Sequence, residues 1–219
     1  MRINKLLSEF SSTIPSINID KIKYTTKTIE DQKISKLIDF DYKSILDAPP
    51  INSSGSTLKE LIYISKITNN RTDKDIEFVH KIDKNAAALI IEFCKNKKIT
   101  FPQQEFNNLY DIFKPLILNT KYYFNRARPY QLAKFYGLTI DVIETDTHQT
   151  PSYPSGHTVY ARLAGNLVAS SYPEFKYELD QIVNKSAYAR VLQGVHYPSD
   201  NKASIIFTDF IFYQLYKSK

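Results

Sequence analysis

Three short stretches of this sequence gather residue types that apolar packing does not require. The first is Lys121-Tyr122-Tyr123-Phe124-Asn125-Arg126-Ala127-Arg128-Pro129, the second Pro154-Ser155-Gly156-His157, and the third Arg190-Val191-Leu192-Gln193-Gly194-Val195-His196-Tyr197-Pro198-Ser199-Asp200. Taken singly, each has an ordinary reading as two solvated charges, a turn, or a structural hydrogen bond. Taken together they supply three cations suited to phosphate (Lys121, Arg128 and Arg190), a helix start and two histidines, one of them with a carboxylate four residues further on. That is the equipment for holding and transferring a phosphoryl group.

Each group has a chemical task. Arg128 and Arg190 offer planar forks to phosphate oxygens, and Lys121 adds a compact charge. Ser155 and Gly156 fall where a loop turns into a helix, so their amides are expected to face an anion at the positive end of the dipole. Gly156 also permits close backbone approach. Asp200 can accept a bond from one ring nitrogen of His196, which fixes the tautomer and leaves the other lone pair to attack phosphorus. His157 is expected to be protonated when phosphate is bound and to donate to the leaving oxygen, a contribution of about 10²- to 10⁴-fold. His148 either lines the pocket and meets substrate or is an exposed loop side chain. Arg126 either points to solvent or contacts a second phosphate, and the sequence leaves both questions open. His80 lies in an apolar helical pattern and reads as structural. No Cys/His cluster or paired-aspartate motif suggests a metal site.

The patterns K-x6-R-P, P-S-G-H and R-x5-H-x3-D, in this order, make the sequence resemble the type 2 phosphatidic acid phosphatase superfamily. That family includes soluble bacterial class A acid phosphatases and vanadium-dependent haloperoxidases. The resemblance spans residues 121–200 and implies an α-helical bundle that hydrolyses phosphomonoesters or diphosphates without a metal, through a phosphohistidine on His196. Lys121, Arg128, Ser155, Gly156 and Arg190 would surround the phosphoryl oxygens, and phosphate or vanadate would occupy the same pocket, with no other cofactor. One departure is visible: Ala189 precedes Arg190 where the family commonly has Ser, so a hydroxyl that could support the phosphate shell is missing. Two other activities share these residues. A vanadate-dependent haloperoxidase is one, although 219 residues is short for it. A non-catalytic binder of phosphorylated ligands or anionic surfaces is the other, but binding alone needs neither histidine.

The elements that must position these residues read as helices. Thr57 and Glu60 resemble a capping box opening a first helix. Apolar residues then recur at helical spacing over 73–97, with a break near Asn85, and over 106–117, where Pro115 should kink the helix. Two further helices follow Pro154, and the last, over 203–215, is apolar nearly all round, as a central bundle helix would be. Residues 14–23 read as extended and 28–46 as weakly helical. The expected fold is therefore all-α, one domain over residues 1–219 with an N-terminal extension to residue 55 and a helical core from 57.

Composition bounds the remaining possibilities. With 42% hydrophobic and 24% charged residues the chain is globular. The net charge of +6 is spread over both halves, so no nucleic-acid partner is expected, and the Lys95–Lys98 knot reads as a solvated helix end. The single cysteine, Cys94, reads as a core thiol. No secretory signal is recognised in Met1–Glu9 and no apolar run reaches the roughly 20 residues a membrane span needs, so a cytoplasmic location and a small phosphorylated substrate are expected. The 16 Tyr and 13 Phe would suit a helix-to-helix face in a homo-oligomer.

Overall fold

A computed structural model describes residues 17–217, and among them eight α-helices and no β-strand are formed. They are α1 (Gly55–Thr68), α2 (Asp73–Lys84), α3 (Ala88–Lys97), α4 (Gln103–Phe124), α5 (Pro129–Ala133), α6 (Gly156–Ser171), α7 (Lys176–Leu192) and α8 (Pro198–Lys217). The fold is all-α, as the sequence pattern predicts. No helix among the described residues is long and apolar enough to cross a membrane.

The centre of the bundle is α6, which packs against α3, α4, α7 and α8. Its small residues allow this. A Cβ added at Gly165 would lie 3.0 Å from Val183 Cγ2 and 3.9 Å from Ile90 Cδ1, so α7 and α3 approach it from two sides. Val159, Leu163, Leu167 and Val168 fill the rest of its surface with buried contacts. The sequence pattern had pointed to the last helix for this role. Instead α8 buries Ala203, Phe207 and Ile211 but leaves Ile206 54% and Tyr213 59% exposed, because its large residues continue onto the outer face.

Other expectations are sharpened or corrected. The break near Asn85 is real: α2 ends there, Asn85 is extended, and its side chain accepts the Ala87 amide before α3 begins. The first helix starts earlier than Thr57, since the Ser54 hydroxyl accepts the Thr57 amide at 3.1 Å. Glu60 is thereby freed for a task described below. Helix α4 continues through Pro115. His80 is exposed on α2 rather than packed in the core, whereas Cys94 is buried.

Residues 28–46 form no α-helix; they run as an irregular strap with one short 3₁₀ turn, Tyr42–Ile45. Side chains of α4 satisfy its backbone in place of helical bonds: Asn119 accepts the Gln32 amide at 2.7 Å and donates to its carbonyl at 2.8 Å. In the segment expected to be extended, Ile19–Lys21 is a 3₁₀ turn. Residues 14–16 and the basic start at 1–9 lie outside the described residues.

Candidate active site

Helix ends place most of the candidate side chains. Lys121 sits in the last turn of α4, which stops where Asn125 turns left-handed at φ 48° and pairs with Thr25 through both side-chain atoms. The reversal carries residues 126–128 back across the bundle to Pro129 at the start of α5. Gly156 and His157 open α6, and Arg190 is in the last turn of α7. Gly194, at φ 85°, then turns the chain so that His196 precedes α8 and Asp200 falls in that helix's first turn.

His196 and Asp200 meet as the four-residue spacing predicts, with Nδ1 3.0 Å from Oδ2. The carboxylate also accepts the Tyr197 amide at 3.0 Å, the Ser152 hydroxyl, and Arg126 Nη1 at 2.6 Å. An acceptor so occupied places the proton of His196 on Nδ1. Nε2 therefore carries the lone pair, and it lies 2.9 Å from Arg128 Nη1. Arg128 is held by the carbonyls of Thr150 and Val195, and Lys121 by the carbonyl of Pro151 at 2.6 Å.

The opposite side is built around a residue that sequence reasoning missed. Asp83 accepts from Arg190 Nη1 at 2.6 Å and from the Thr147 hydroxyl, while its main-chain carbonyl lies 3.0 Å from His157 Nε2. That carbonyl belongs to the last turn of α2, where it lacks an intrahelical donor, so the His157 N–H completes it. The only trace of Asp83 in the sequence is the helix break beside it. Arg190 Nε is buried with no hydrogen-bond partner among the described residues.

Three candidates are placed differently from the sequence expectation. The Ser155 amide donates to Ser204 Oγ at 2.8 Å, which leaves Gly156 and His157 as the first-turn amides beside the cleft. Arg126 does not point to solvent, and its polar contacts are within the protein. It is buried, bonded to Asp200, paired with Glu60 at 3.4 Å and stacked 3.8 Å over the Tyr197 ring. Glu60 in turn accepts the Ser199 amide and hydroxyl. His148 is not an exposed loop residue: it is 3% exposed, bonded to Glu144 at 3.0 Å and edge-on to Tyr130. It does not line the cleft. Ala189, the departure from the family pattern, is fully buried.

Electrostatics make this a site for negative charge. Burial, reinforced by Arg128, holds Lys121 well below the ordinary lysine value, and burial with Arg190 pulls Arg128 down to about 10. Burial and then Arg128, Lys121 and Arg190 press His196 well below the usual imidazole range. His157 is lowered to about 3 by burial and by Arg190. Asp83 stays ionised because its bonds to Thr147 and Arg190 outweigh burial. Lys121, Arg128, Arg190 and two suppressed imidazoles thus share a space with two carboxylates that are already committed, Asp83 to Arg190 and Asp200 to His196 and Arg126, an arrangement that an oxyanion relieves. Among the described residues no cluster of His, Cys, Asp and Glu could hold a metal ion. A cleft of about 440 Å³ opens onto Lys121, Gly156 and His157; Arg128, Arg190 and His196 are buried outside its lining, Arg128 bonded to Thr150 and Arg190 to Thr147 of the segment that borders it.

A helical bundle that gathers cations and paired imidazoles at its helix ends defines a class, and comparison with known proteins identifies it. The model of the PAP2 superfamily matches residues 111–218, and the chain belongs to that superfamily. Among solved structures, it resembles a bacterial vanadium-dependent iodoperoxidase, with a TM-score of 0.59 over 99% of this chain at 16% identity. At that identity the likeness bears on the fold, and the chain spans 65% of that protein's length. No curated protein sequence matches the chain.

Proposed function

We propose that this protein is a phosphoric ester hydrolase that works through a phosphohistidine on His196. One observation carries the reading: His196 Nε2 bears a lone pair fixed by Asp200 at Nδ1, and that nitrogen faces the cation set next to His157. A phosphate ester entering the site replaces the bond between Arg128 and the His196 lone pair. Arg128 leaves Nε2 to bind a phosphoryl oxygen, and Arg190 Nε, Lys121 and the Gly156 amide complete the shell.

Nε2 then attacks phosphorus, and a P–N bond forms as the P–O bond to the leaving group breaks. His157, protonated in the complex, gives its proton to that leaving oxygen. In the second half, water attacks phosphorus while neutral His157 takes one of its protons. The P–N electron pair returns to Nε2 and inorganic phosphate departs. Throughout, Asp200 keeps Nδ1 protonated and stabilises the positive ring of the intermediate. The Arg126–Glu60 pair holds Asp200 in place.

Phosphate release from an aryl phosphate by the full chain tests this reading. Activity is expected to vanish in His196→Ala and to survive a chelator. Full activity in that variant, or loss of activity on chelation, would refute the mechanism.

The orphaned Arg190 Nε and the cationic ring fit vanadate as well as phosphate. His196 with Lys121, Arg128 and Arg190 would hold it, and when bound it would supply peroxide activation for iodide oxidation, the activity for which the vanadium-dependent iodoperoxidase is named. Iodide oxidation by vanadate-loaded protein at rates above its phosphatase turnover would favour that second reading. A water-soluble phosphate is the proposed substrate, given that no described helix spans a membrane.

A further inference from the structure

The cleft beside His157 extends well past the reacting groups, and its walls follow from helix periodicity. On α4, Tyr110, Lys114, Ile117, Leu118 and Lys121 recur at spacings of three and four, so they share one face. On α6, Tyr160 stands one turn beyond His157, and residues 84–87 close the remaining side. The Tyr110 and Tyr160 rings stack at 4.1 Å between centroids with a 21° tilt, giving the cleft an aromatic wall. Phe106, Ala87 and Ile117 extend it as apolar surface. Lys84 and Lys114 stand exposed at the outer rim, and neither makes an ion pair among the described residues. The acidic side chain in the lining, Asp83, is already paired with Arg190.

We propose that this cleft receives the leaving group and selects phosphate esters of flat aromatic alcohols that carry a second negative charge at the end remote from phosphorus. The inference rests on the phosphatase reading, because His157 can protonate a leaving oxygen only if the leaving group departs past it into this cleft. The aromatic wall begins one helical turn from His157 and takes the ring by stacking and burial. Lys114 lies seven residues from Lys121, about 10 Å along the helix, which sets the span between the phosphoryl group and the second anion. The volume, about 440 Å³, is that of a small-molecule site.

Three matched substrates test the proposal: 2-naphthyl phosphate and its 6-carboxy and 6-aminomethyl derivatives, with propyl phosphate as the small aliphatic reference. The expected order in kcat/KM is anion, neutral, cation, with the anion ahead of the cation by about tenfold at low ionic strength from two exposed charge contacts. The ratio should shrink as salt is added. The double variant Lys84→Gln, Lys114→Gln should bring the ratio towards one, whereas Lys66→Gln, Lys202→Gln, which removes the same charge elsewhere on the surface, should leave it in place. Equal rates for the three naphthyl esters, a faster propyl ester, or the same loss in both double variants would overturn this inference while the phosphatase reading stands. Release of phosphate from none of the four would overturn that reading and this one with it.

Discussion

Binding of sulfate, a stable tetrahedral dianion, should carry a proton into the site. The protein's own groups hold His157 at about 3, chiefly through burial and Arg190. A proton donor working near pH 6 must be protonated there, and moving the ring that far requires about 4 kcal/mol of favourable coupling. A dianion about 4 Å away supplies about 4 kcal/mol per unit charge at an effective dielectric constant of about 20. The two charges together are therefore sufficient, with a margin for imperfect geometry. By reciprocity, sulfate affinity should rise about tenfold for each pH unit of acidification across the window between the unbound and bound values of His157.

Calorimetric titration in two buffers of different ionisation enthalpy counts the protons. Because sulfate keeps both its charges at these pH values, any uptake belongs to the protein. About one proton per sulfate is expected near pH 6, and none in His157→Gln. Buffer-independent heats in the native protein would remove the general acid from the mechanism. Undiminished uptake in His157→Gln would mean that His196 takes the proton; its lone pair would then be spent, and the nucleophile assignment would fail.

Three further outcomes follow from the same geometry. Asp200→Asn replaces an obligate acceptor at His196 Nδ1 with an amide that can favour the other tautomer, so kcat should fall by about 10⁴-fold; activity within tenfold of native would contradict the assigned tautomer. The fold should weaken in acid, since His157 and His196 have folded values below 6.5 and the unfolded chain binds more protons as pH falls through that value. From pH 7 to pH 5 the loss from His157 should be about 2 kcal/mol in urea denaturation, His196 should add to it in the same direction, and sulfate should reduce it. At Gly194, with φ 85°, an added Cβ would lie 2.9 Å from Ile140 Cγ2 and 3.2 Å from the Asp141 carbonyl, so Gly194→Ala should cost about 1–3 kcal/mol by thermal unfolding, and an unchanged melting temperature would show that this turn is not strained.

What could be read from the sequence divides along a physical line. Interactions confined to one helix, or to a turn and the helix after it, leave a spacing signal. His196 with Asp200, the break at Asn85 and the apolar face of α4 were all legible for that reason. The central position of α6 was not, because small residues such as Ala161, Ala164 and Gly165 lower a helix's apparent hydrophobicity while permitting the close approach that buries it. Nor does hydrophobic spacing report the N-terminal strap, whose backbone at Gln32 is satisfied by Asn119 of a distant segment. The site divides in the same way. Its cations and imidazoles stand in compact motifs, but the groups that set their charge and aim come from elsewhere: Asp83 for Arg190 and His157, Glu60 for Arg126, Ser152 for Asp200. Arg126 shows the consequence. Local context allowed it solvent or phosphate, and only the folded chain, by bringing Glu60 and Asp200 to its two sides, makes it a buried support for the carboxylate that orients His196. A motif can therefore name the candidate site groups, while their protonation states depend on partners that the fold alone brings into range.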